Sequence, residues 1–331
     1  MADEFIYPDL DEITELFDGD FMVADHDVSG SIETNSIKLS NVVQELLFRT
    51  NYRINRSVPS ANLLVELKNA NNSDASANRP LSFSIAGQIR KLTGALSVQV
   101  NSSTNTFNLG STMFANIAQE LFVYVGWRAS TSTVFLLLSR ISYAKEYADF
   151  SSSATDERYG AYSGAAPVGA DPVKNIGRVN VQNTGSAFSY QWSIPAGDTI
   201  INHPIFQTNW LDYLPTFAGF TATVPTGVHR YRFNYSTASL FARQTANGTS
   251  NANNFTMSLP FTAKTITNMA WGSMGGGFDN SVLLTAPILI RVLSAATVMD
   301  VFKDFNATTN WTTSNGKRIT QMNVLQYEFG V

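Results

Sequence analysis

Two short segments near the middle of the second half of the chain alternate apolar and polar residues. Their apolar members are Tyr231, Phe233 and Tyr235 in the first segment, and Phe255, Met257 and Leu259 in the second. A period of two is typical of a strand with one buried face. Residues 245–254 between them are rich in Asn, Gly, Ser and Thr, which favour turns. The pattern predicts two half-buried strands joined by a long polar loop. They are expected to belong to an antiparallel sheet that has one solvated face.

The composition favours β-structure throughout. Charged residues make up 15% of the 331 residues, well below the usual quarter or so, and Asn, Ser and Thr supply the polarity instead. The 22 Phe and 12 Tyr residues also favour strands. We therefore predict an all-β protein: two antiparallel, jelly-roll-like β-sandwich domains that follow a small N-terminal attachment module with a short helix.

The domain boundaries are predicted from changes in composition. The predicted parts are residues 1–60, the N-terminal module; residues 61–205, the first β-domain; and residues 206–331, the distal β-sandwich domain. The junction between the β-domains contains Phe206, Trp210 and Tyr213 among three prolines. It is too aromatic for a flexible linker, so we expect the two domains to pack against each other.

Short apolar runs separated by turn residues predict the strands of the first β-domain. The predicted strands cover residues 62–67, 81–86, 96–100, 121–127 and 133–139. The last two are expected to form a hairpin around residues 128–132.

The N-terminal segment is strongly acidic. Residues 1–33 carry eleven Asp or Glu and no Lys or Arg, so the remainder holds 15 acidic and 22 basic side chains, a formal net charge of +7. Leu10, Ile13 and Phe17 fall at helical spacing. An acidic arm on a mildly basic body suggests an electrostatic docking element, and a solvated tail is the alternative. The candidate docking residues are Phe5, Tyr7, Leu10, Ile13, Phe17, Asp18 and Asp20.

A strand, a turn, a returning strand and a short helix are predicted after this arm. They cover residues 21–24, 25–30, 31–39 and 41–50 in turn, and Ser40 caps the helix. Asp25, Asp27 and Gly30 match the start of a calcium-binding loop, but Ser36 stands where a bidentate Glu is needed. An acidic hairpin turn is therefore the preferred interpretation.

The residues needed for common chemistries are sparse. There is no cysteine, and three scattered histidines, His26, His203 and His229, suggest neither a zinc site nor a catalytic triad. The glycine-rich residues 272–277 lack the Lys-Ser/Thr of a phosphate loop. A glycan hydrolase would need a carboxylate pair. The candidates, none in a recognisable pair motif, are Asp149, Asp156, Glu157, Asp171, Asp198 and Asp212. We predict a protein that is not an enzyme and has no cofactor or bound metal.

Three landmarks in the distal part resemble the distal β-domain of bacteriophage tail and head fibre proteins. They are Gly-Thr-Ser-Asn at residues 248–251 before a strand ending in Leu-Pro, the run Trp-Thr-x-Ser-x-Gly-Lys at residues 311–317, and Tyr-Glu at residues 327–328. Residues 120–181, with Trp192, Ser193 and Pro195 after them, are similar to a second region of the same proteins. The module at residues 18–47 resembles their N-terminal attachment segments.

The resemblance implies a virion structural protein of fibre or spike type. It implies docking on other virion proteins through the N-terminus, a homotrimer, and β-domains that contact a glycan or protein on the host surface. Location in the virion follows, with no nucleic-acid binding and no membrane insertion. The alternatives are an internal adaptor, baseplate or collar component, and a depolymerase of surface polysaccharide. Residues 245–254 and 271–278 are expected to be outer loops, and the candidate host-contact residues are Asn247, Thr249, Asn251, Asn253, Trp271 and Phe278.

Overall fold

The computed structural model describes most of the chain. It gives the backbone of residues 21–28 and 31–38, and full detail for residues 52–101, 114–154, 156–184, 191–197 and 199–329. The chain forms two compact units, Met1–Asn51 and Tyr52–Val331. The candidate docking residues before residue 21 and the predicted helix at residues 41–50 lie outside the described residues.

The smaller unit contains an antiparallel hairpin of β1 (Phe21–Val28) and β2 (Ser31–Lys38). Its register runs from Phe21 opposite Lys38 to Val28 opposite Ser31. The first strand is longer than predicted, because residues 25–28, expected in a turn, pair with β2. The extended backbone at Asp25 and Asp27 follows the hairpin interpretation and not a wound calcium-binding loop.

The larger unit is built almost entirely from strands. The first group is β3 (Tyr52–Ser57), β4 (Leu63–Asn69), β5 (Leu81–Ile85), β6 (Gln88–Leu92) and β7 (Leu96–Val100). The second group is β8 (Ala118–Arg128), β9 (Thr133–Ser139), β10 (Gly160–Tyr162), β11 (Val173–Asn183), β12 (Trp192–Ser193) and β13 (Ile200–Ile201). Two short 3₁₀ helices, Pro59–Ala61 and Tyr147–Asp149, interrupt these strands.

The remaining strands follow residue 210. They are β14 (Leu211–Asp212), β15 (Phe217–Ala218), β16 (Thr226–Asn234), β17 (Thr237–Ala246), β18 (Gly248–Thr249), β19 (Thr256–Ser258), β20 (Ala270–Asp279), β21 (Val282–Leu283), β22 (Ile288–Leu293), β23 (Val298–Phe302), β24 (Gly316–Met322) and β25 (Leu325–Glu328). All pairs among the strands named here are antiparallel. The protein is all-β, as predicted.

Three larger sheets dominate this unit. A six-stranded sheet has the order β10-β9-β8-β11-β12, with β13 also paired to β11. A four-stranded sheet has the order β14-β16-β17-β25, and an eight-stranded sheet the order β15-β19-β23-β22-β20-β24-β18, with β21 paired to β20. The four-stranded and eight-stranded sheets contact each other through β17 and β24 and through β20 and β25. Smaller sheets, β3-β4-β7 and β5-β6, contact the six-stranded sheet.

The predicted hairpin in the first β-domain is confirmed. β8 pairs with β9 from Phe122 opposite Ser139 to Arg128 opposite Thr133. Both strands are buried along nearly their whole length, which explains their continuous apolar sequence. Gly126 lies opposite Phe135, and a Cβ atom there would clash with the Phe135 ring. The other predicted strands of this region also form, as β4, β5 and β7.

The first predicted boundary differs from the compact units. β3 was assigned to the N-terminal module, but it pairs with β4 from Tyr52 to Ser57 and so belongs to the larger unit. Only residues 58–62 separate β3 from β4, so the two strands form a local hairpin whose first strand was not predicted. The further boundary at residue 205 stays a prediction, since the larger unit is compact as a whole.

The two alternating segments form strands, but in different sheets. Tyr231 and Phe233 are buried on β16, which pairs with β17 in the four-stranded sheet. Met257 is buried on β19, which belongs to the eight-stranded sheet. The prediction that they share one sheet is therefore wrong. A period of two shows which side chains of a strand are buried. It does not show which of two sheets around a core the strand joins.

A buried ion pair between β8 and β11 of the six-stranded sheet also binds the junction segment. Arg178 Nη1 lies 2.7 Å from Glu120 Oε2, and both side chains are almost fully buried. Asn209 donates from its backbone and side-chain nitrogens to the same carboxylate, at 3.1 and 3.0 Å. Burial raises the pKa of Glu120, although Arg178 and Asn209 act against this. The expected packing of the aromatic junction is thus reinforced by polar contacts.

Further polar and aromatic contacts cross from the first predicted β-domain to the distal one. Tyr231 donates from its hydroxyl to Gln119 Oε1. The Arg140 guanidinium lies 4.2 Å from the Phe114 ring centre and 4.3 Å from that of Phe261, so two rings enclose it. In these contacts each buried polar group has a partner. Such partners are needed because burying an unpaired polar or charged group is costly.

We predict that Glu120→Ala lowers the free energy of unfolding by about 3–5 kcal/mol, because it leaves the buried Arg178 without its carboxylate. Chemical denaturation with fluorescence detection measures the change. The control is Asp212→Ala, which removes an exposed ion pair with Arg230 and should cost less than about 1 kcal/mol. Equal effects of the two substitutions would contradict the role given to the buried pair.

Candidate recognition loop

Four of the six candidate host-contact residues lie together. Thr249 is exposed in the short strand β18, and Asn251 and Asn253 are exposed in the segment that follows it. Asn247 is half-buried between β17 and β18. We call residues 250–254 the polar loop. It is shorter than the loop predicted for residues 245–254. Residues 245–246 belong to the end of β17 and residues 248–249 form β18, and both strands pair with neighbours.

The polar loop is fixed by hydrogen bonds to distant backbone groups. The Ser250 backbone N–H donates to Asn315 O at 2.8 Å. Asn251 donates from its side chain to Phe220 O at 2.8 Å and from its backbone to Gly219 O at 3.2 Å. A loop with this many backbone partners has fewer conformations to lose on binding.

A buried lysine anchors the other half of the polar loop. Lys317 is fully buried, and its Nζ donates to Ala252 O and to Asn254 O, each at 2.7 Å. The same ammonium lies 4.9 Å from the centre of the Phe220 ring. Burial lowers the pKa of Lys317 to about 8, against the opposing effect of Asp279. The cost of burying this charge is offset by the two carbonyls and the ring.

Aromatic side chains pack under the loop. Phe255 contacts Phe220 edge to face, with ring centres 4.9 Å apart, and Trp311 at 5.4 Å. The Trp311 indole N–H donates to Val301 O at 2.7 Å. These rings form an apolar floor that leaves only the polar side chains of the loop to face solvent.

Asp279 connects Lys303 and Thr312 next to the polar loop. Its carboxylate lies 2.7 Å from Lys303 Nζ and accepts a hydrogen bond of 2.7 Å from the Thr312 hydroxyl. Burial alone would raise the pKa of Asp279, but the contacts with Lys303 and Thr312 outweigh it and lower the pKa. Asp279 therefore stays ionised and fixes the residues that precede Lys317.

Trp271 and Phe278 do not lie in an outer loop. Both are half-buried in β20, a central strand of the eight-stranded sheet, so the predicted loop at residues 271–278 is wrong. A side chain at Gly275 or Gly277 would clash with neighbouring atoms of the core, such as those of Ile288. Glycine serves here for close strand packing and not for a flexible tip.

The carboxylates considered for glycoside chemistry have structural partners. Asp156 pairs with Arg158, Asp212 with Arg230, Glu157 accepts from the Thr262 backbone, Asp171 from the Val168 backbone and Asp149 from the Lys145 backbone. Asp198 lies outside the described residues. Among the described residues, no three His, Asp or Glu side chains form a group that could hold a metal ion. No helix in the described part of the chain has the length and apolar character needed to cross a membrane.

Comparison with protein-family models, with curated proteins and with solved structures found no match to this chain. The candidate site is therefore defined by its own geometry.

We predict that Lys317→Met lowers the free energy of unfolding by roughly 2 kcal/mol, because two carbonyls of the polar loop lose their donor. Amide exchange at Ser250 and Asn251 should become faster. Denaturation and hydrogen-exchange mass spectrometry measure both effects. Lys91→Met makes the same chemical change at an exposed position and should leave both unchanged. Unaltered exchange in the Lys317 variant would contradict the anchoring role.

A buried histidine near the loop predicts acid sensitivity. Gln244 Oε1 accepts a hydrogen bond from the Ile319 N–H, so its Nε2 faces His229 Nε2 at 3.3 Å and donates to it. Burial lowers the pKa of His229 to about 4. The folded pKa lies below the unfolded value of about 6.5, so this stability is complete above pH 6.5 and is lost as the pH falls through 4.

We predict that this one group removes on the order of 3 kcal/mol of stability between pH 7 and pH 4. The measurement is the free energy of unfolding against pH for the wild type and for His229→Gln, whose difference should shrink on acidification. His203→Gln, at an exposed position, is the control. Parallel curves for wild type and His229→Gln would refute the assignment.

Proposed function

We propose that the chain is a bacteriophage virion structural protein of fibre or spike type, without enzymatic activity. In this proposal the N-terminal unit docks on other virion proteins, and the β-sandwich unit presents its polar loop to the host surface. The resemblance of residues 248–251 and 311–317 to phage fibre proteins is the starting point.

One structural observation supports the proposal most directly. The two resembling motifs are about 60 residues apart, yet their residues meet around one exposed loop. Gly248 pairs with Lys317 and Thr249 with Gly316, and Lys317 then reaches the carbonyls of the polar loop. The motifs are therefore the frame that holds the loop, which gives the resemblance a physical meaning.

The exposed side chains of Thr249 and of the polar loop suit contact with a polar surface. Thr249, Asn251 and Asn253 offer hydroxyl and amide groups, which donate and accept hydrogen bonds. The loop is held rigidly from below, so binding through it costs little ordering entropy. Loops on a rigid scaffold are a common place for recognition.

Exposed apolar side chains on β20, β21 and β22 of the eight-stranded sheet support assembly. Val282 and Leu283 are 62% and 59% exposed, and Met274 and Leu293 are 43% and 42% exposed on adjoining strands. Several exposed apolar residues on neighbouring strands favour a protein contact. In the proposed homotrimer a second copy of the chain covers this surface.

The first test is host binding. We predict that labelled full-length protein binds saturably to cells of the host, and that Asn253→Arg weakens this binding about tenfold or more, since a long cation then projects from the polar loop. Asn253 is exposed, so the fold should be unaffected. Asn71→Arg makes the same change at an exposed position outside the loop and is the control.

Mass spectrometry of purified particles completes the test. The chain present in particles, with host binding sensitive to Asn253→Arg, is the expected result. The chain present in particles without any host binding would replace the proposal by an internal adaptor, baseplate or collar role. Absence of the chain from particles would overturn the virion assignment.

A further inference from the structure

A second surface site lies away from the polar loop, where the segment after β9 meets the turn between β16 and β17. It is a cleft of about 280 Å³, close to the lower limit of about 300 Å³ for small-molecule pockets. Its lining residues are Ile141, Tyr143, Lys145, Asp149, Tyr235, Ser236, Lys264 and Phe329. Sequence reasoning missed it, because its residues come from four separated segments.

One wall of the cleft is an exposed aromatic platform. Tyr235 stacks on Phe206 with ring centres 4.9 Å apart and planes inclined by only 13°. Tyr143 meets both rings edge-on, each at 5.9 Å. Tyr235 is 50% exposed and Tyr143 38% exposed. Neither hydroxyl has a hydrogen-bond partner within the part of the chain that the structure describes, so both can bind a ligand.

Tyr235 occupies an unusual backbone position. Its φ is 54°, in the left-handed region that bulky residues rarely adopt. The conformation is held by the Tyr235 N–H, which donates to Phe206 O at 2.9 Å, and by the Ser142 hydroxyl, which donates to Tyr235 O at 2.7 Å. Glycine or asparagine would fit this turn with less strain. A tyrosine held here points to a use for its exposed ring.

The other side of the cleft is cationic. Lys145 is exposed and has no ion-pair partner among the described residues. Lys264 Nζ lies 3.8 Å from Glu328, a long and exposed contact. The Asp149 carboxylate already accepts backbone hydrogen bonds from Lys145 and Glu146. Two lysines and one carboxylate therefore line the cleft, and that carboxylate accepts hydrogen bonds from the backbone.

We propose that this cleft binds an acidic saccharide. The exposed Tyr235 ring suits packing of the C–H face of a sugar, while Tyr143, Tyr235 and Ser236 can form hydrogen bonds with its hydroxyls. Lys145 and Lys264 would pair with its carboxylate or sulfate. Nucleic acid fits less well, because two lysines form no extended basic groove that could follow a phosphate backbone. The inference does not depend on the virion proposal or on the polar loop.

Isothermal titration calorimetry of the full chain with three acidic probes tests this inference. The probes are α-1,4-trigalacturonate, α-2,8-trisialate and a chondroitin sulfate tetrasaccharide. We expect saturable binding of at least one of them, weakened by salt because the lysine contacts are solvent-accessible. α-1,4-Galactotriose, the neutral counterpart of trigalacturonate, should bind at least about tenfold more weakly than the best acidic probe.

The variants are chosen to keep the fold. Tyr235→Asn removes the ring but tolerates the positive φ, and Lys145→Gln with Lys264→Gln removes the two charges. Each should weaken binding about tenfold or more. Trp210→Ala, at an exposed aromatic outside the cleft, and Lys91→Gln, at an exposed lysine outside it, should leave binding unchanged.

Three results would overturn the inference. The first is no binding of any acidic probe by the folded wild type. The second is binding that Tyr235→Asn leaves intact, which would place the ligand elsewhere. The third is equal binding of triglutamate with the same response to the variants, which would assign the cleft to acidic peptides.

Discussion

The buried pair of Glu120 and Arg178 fixes the junction segment at residues 207–209 to the six-stranded sheet. The two charges share a dry environment, and Asn209 adds two hydrogen bonds to the carboxylate. Arg178 also donates to Gln207 O at 2.6 Å, so the junction segment is fixed to the six-stranded sheet at two points. Phe206 lies just before these points, and Tyr235 stacks on it. The ion pair thus fixes the segment that follows Phe206, the ring on which Tyr235 stacks.

Buried cations that bind backbone carbonyls recur in this fold. The pairs are Arg128 with Ser163 O and Ala165 O, Arg178 with Gln207 O, and Lys317 with Ala252 O and Asn254 O. Although the chain has few charged residues, several of its basic side chains bind the backbone of connecting segments. A carbonyl in a loop lacks a ladder partner, and a buried cation supplies several donors at once. This gives long β-connections a fixed shape without disulfides.

Local patterns predicted many strands correctly and their pairing only in part. The hairpin of β8 and β9 was predictable because its two apolar runs are adjacent and one turn joins them. The separation of β16 from β19 into two sheets was not predictable, since the period of a strand does not identify its partner. The glycine run of β20 was predicted as a loop but forms a strand. Its glycines are needed because Ile288 packs close to Gly277, and this contact exists only in the folded chain.

The sequence by itself determined the all-β class, the positions of many strands and an exposed Asn- and Thr-bearing segment, because these follow from residue type and a period of two. Tertiary structure alone decided what holds that segment, since Lys317 lies about 60 residues from the carbonyls it binds. It also decided that Tyr235, the last residue of an alternating run, turns outward at a positive φ and forms the wall of a cleft. Contacts between distant segments carry no local pattern, so only the folded chain brings these groups together.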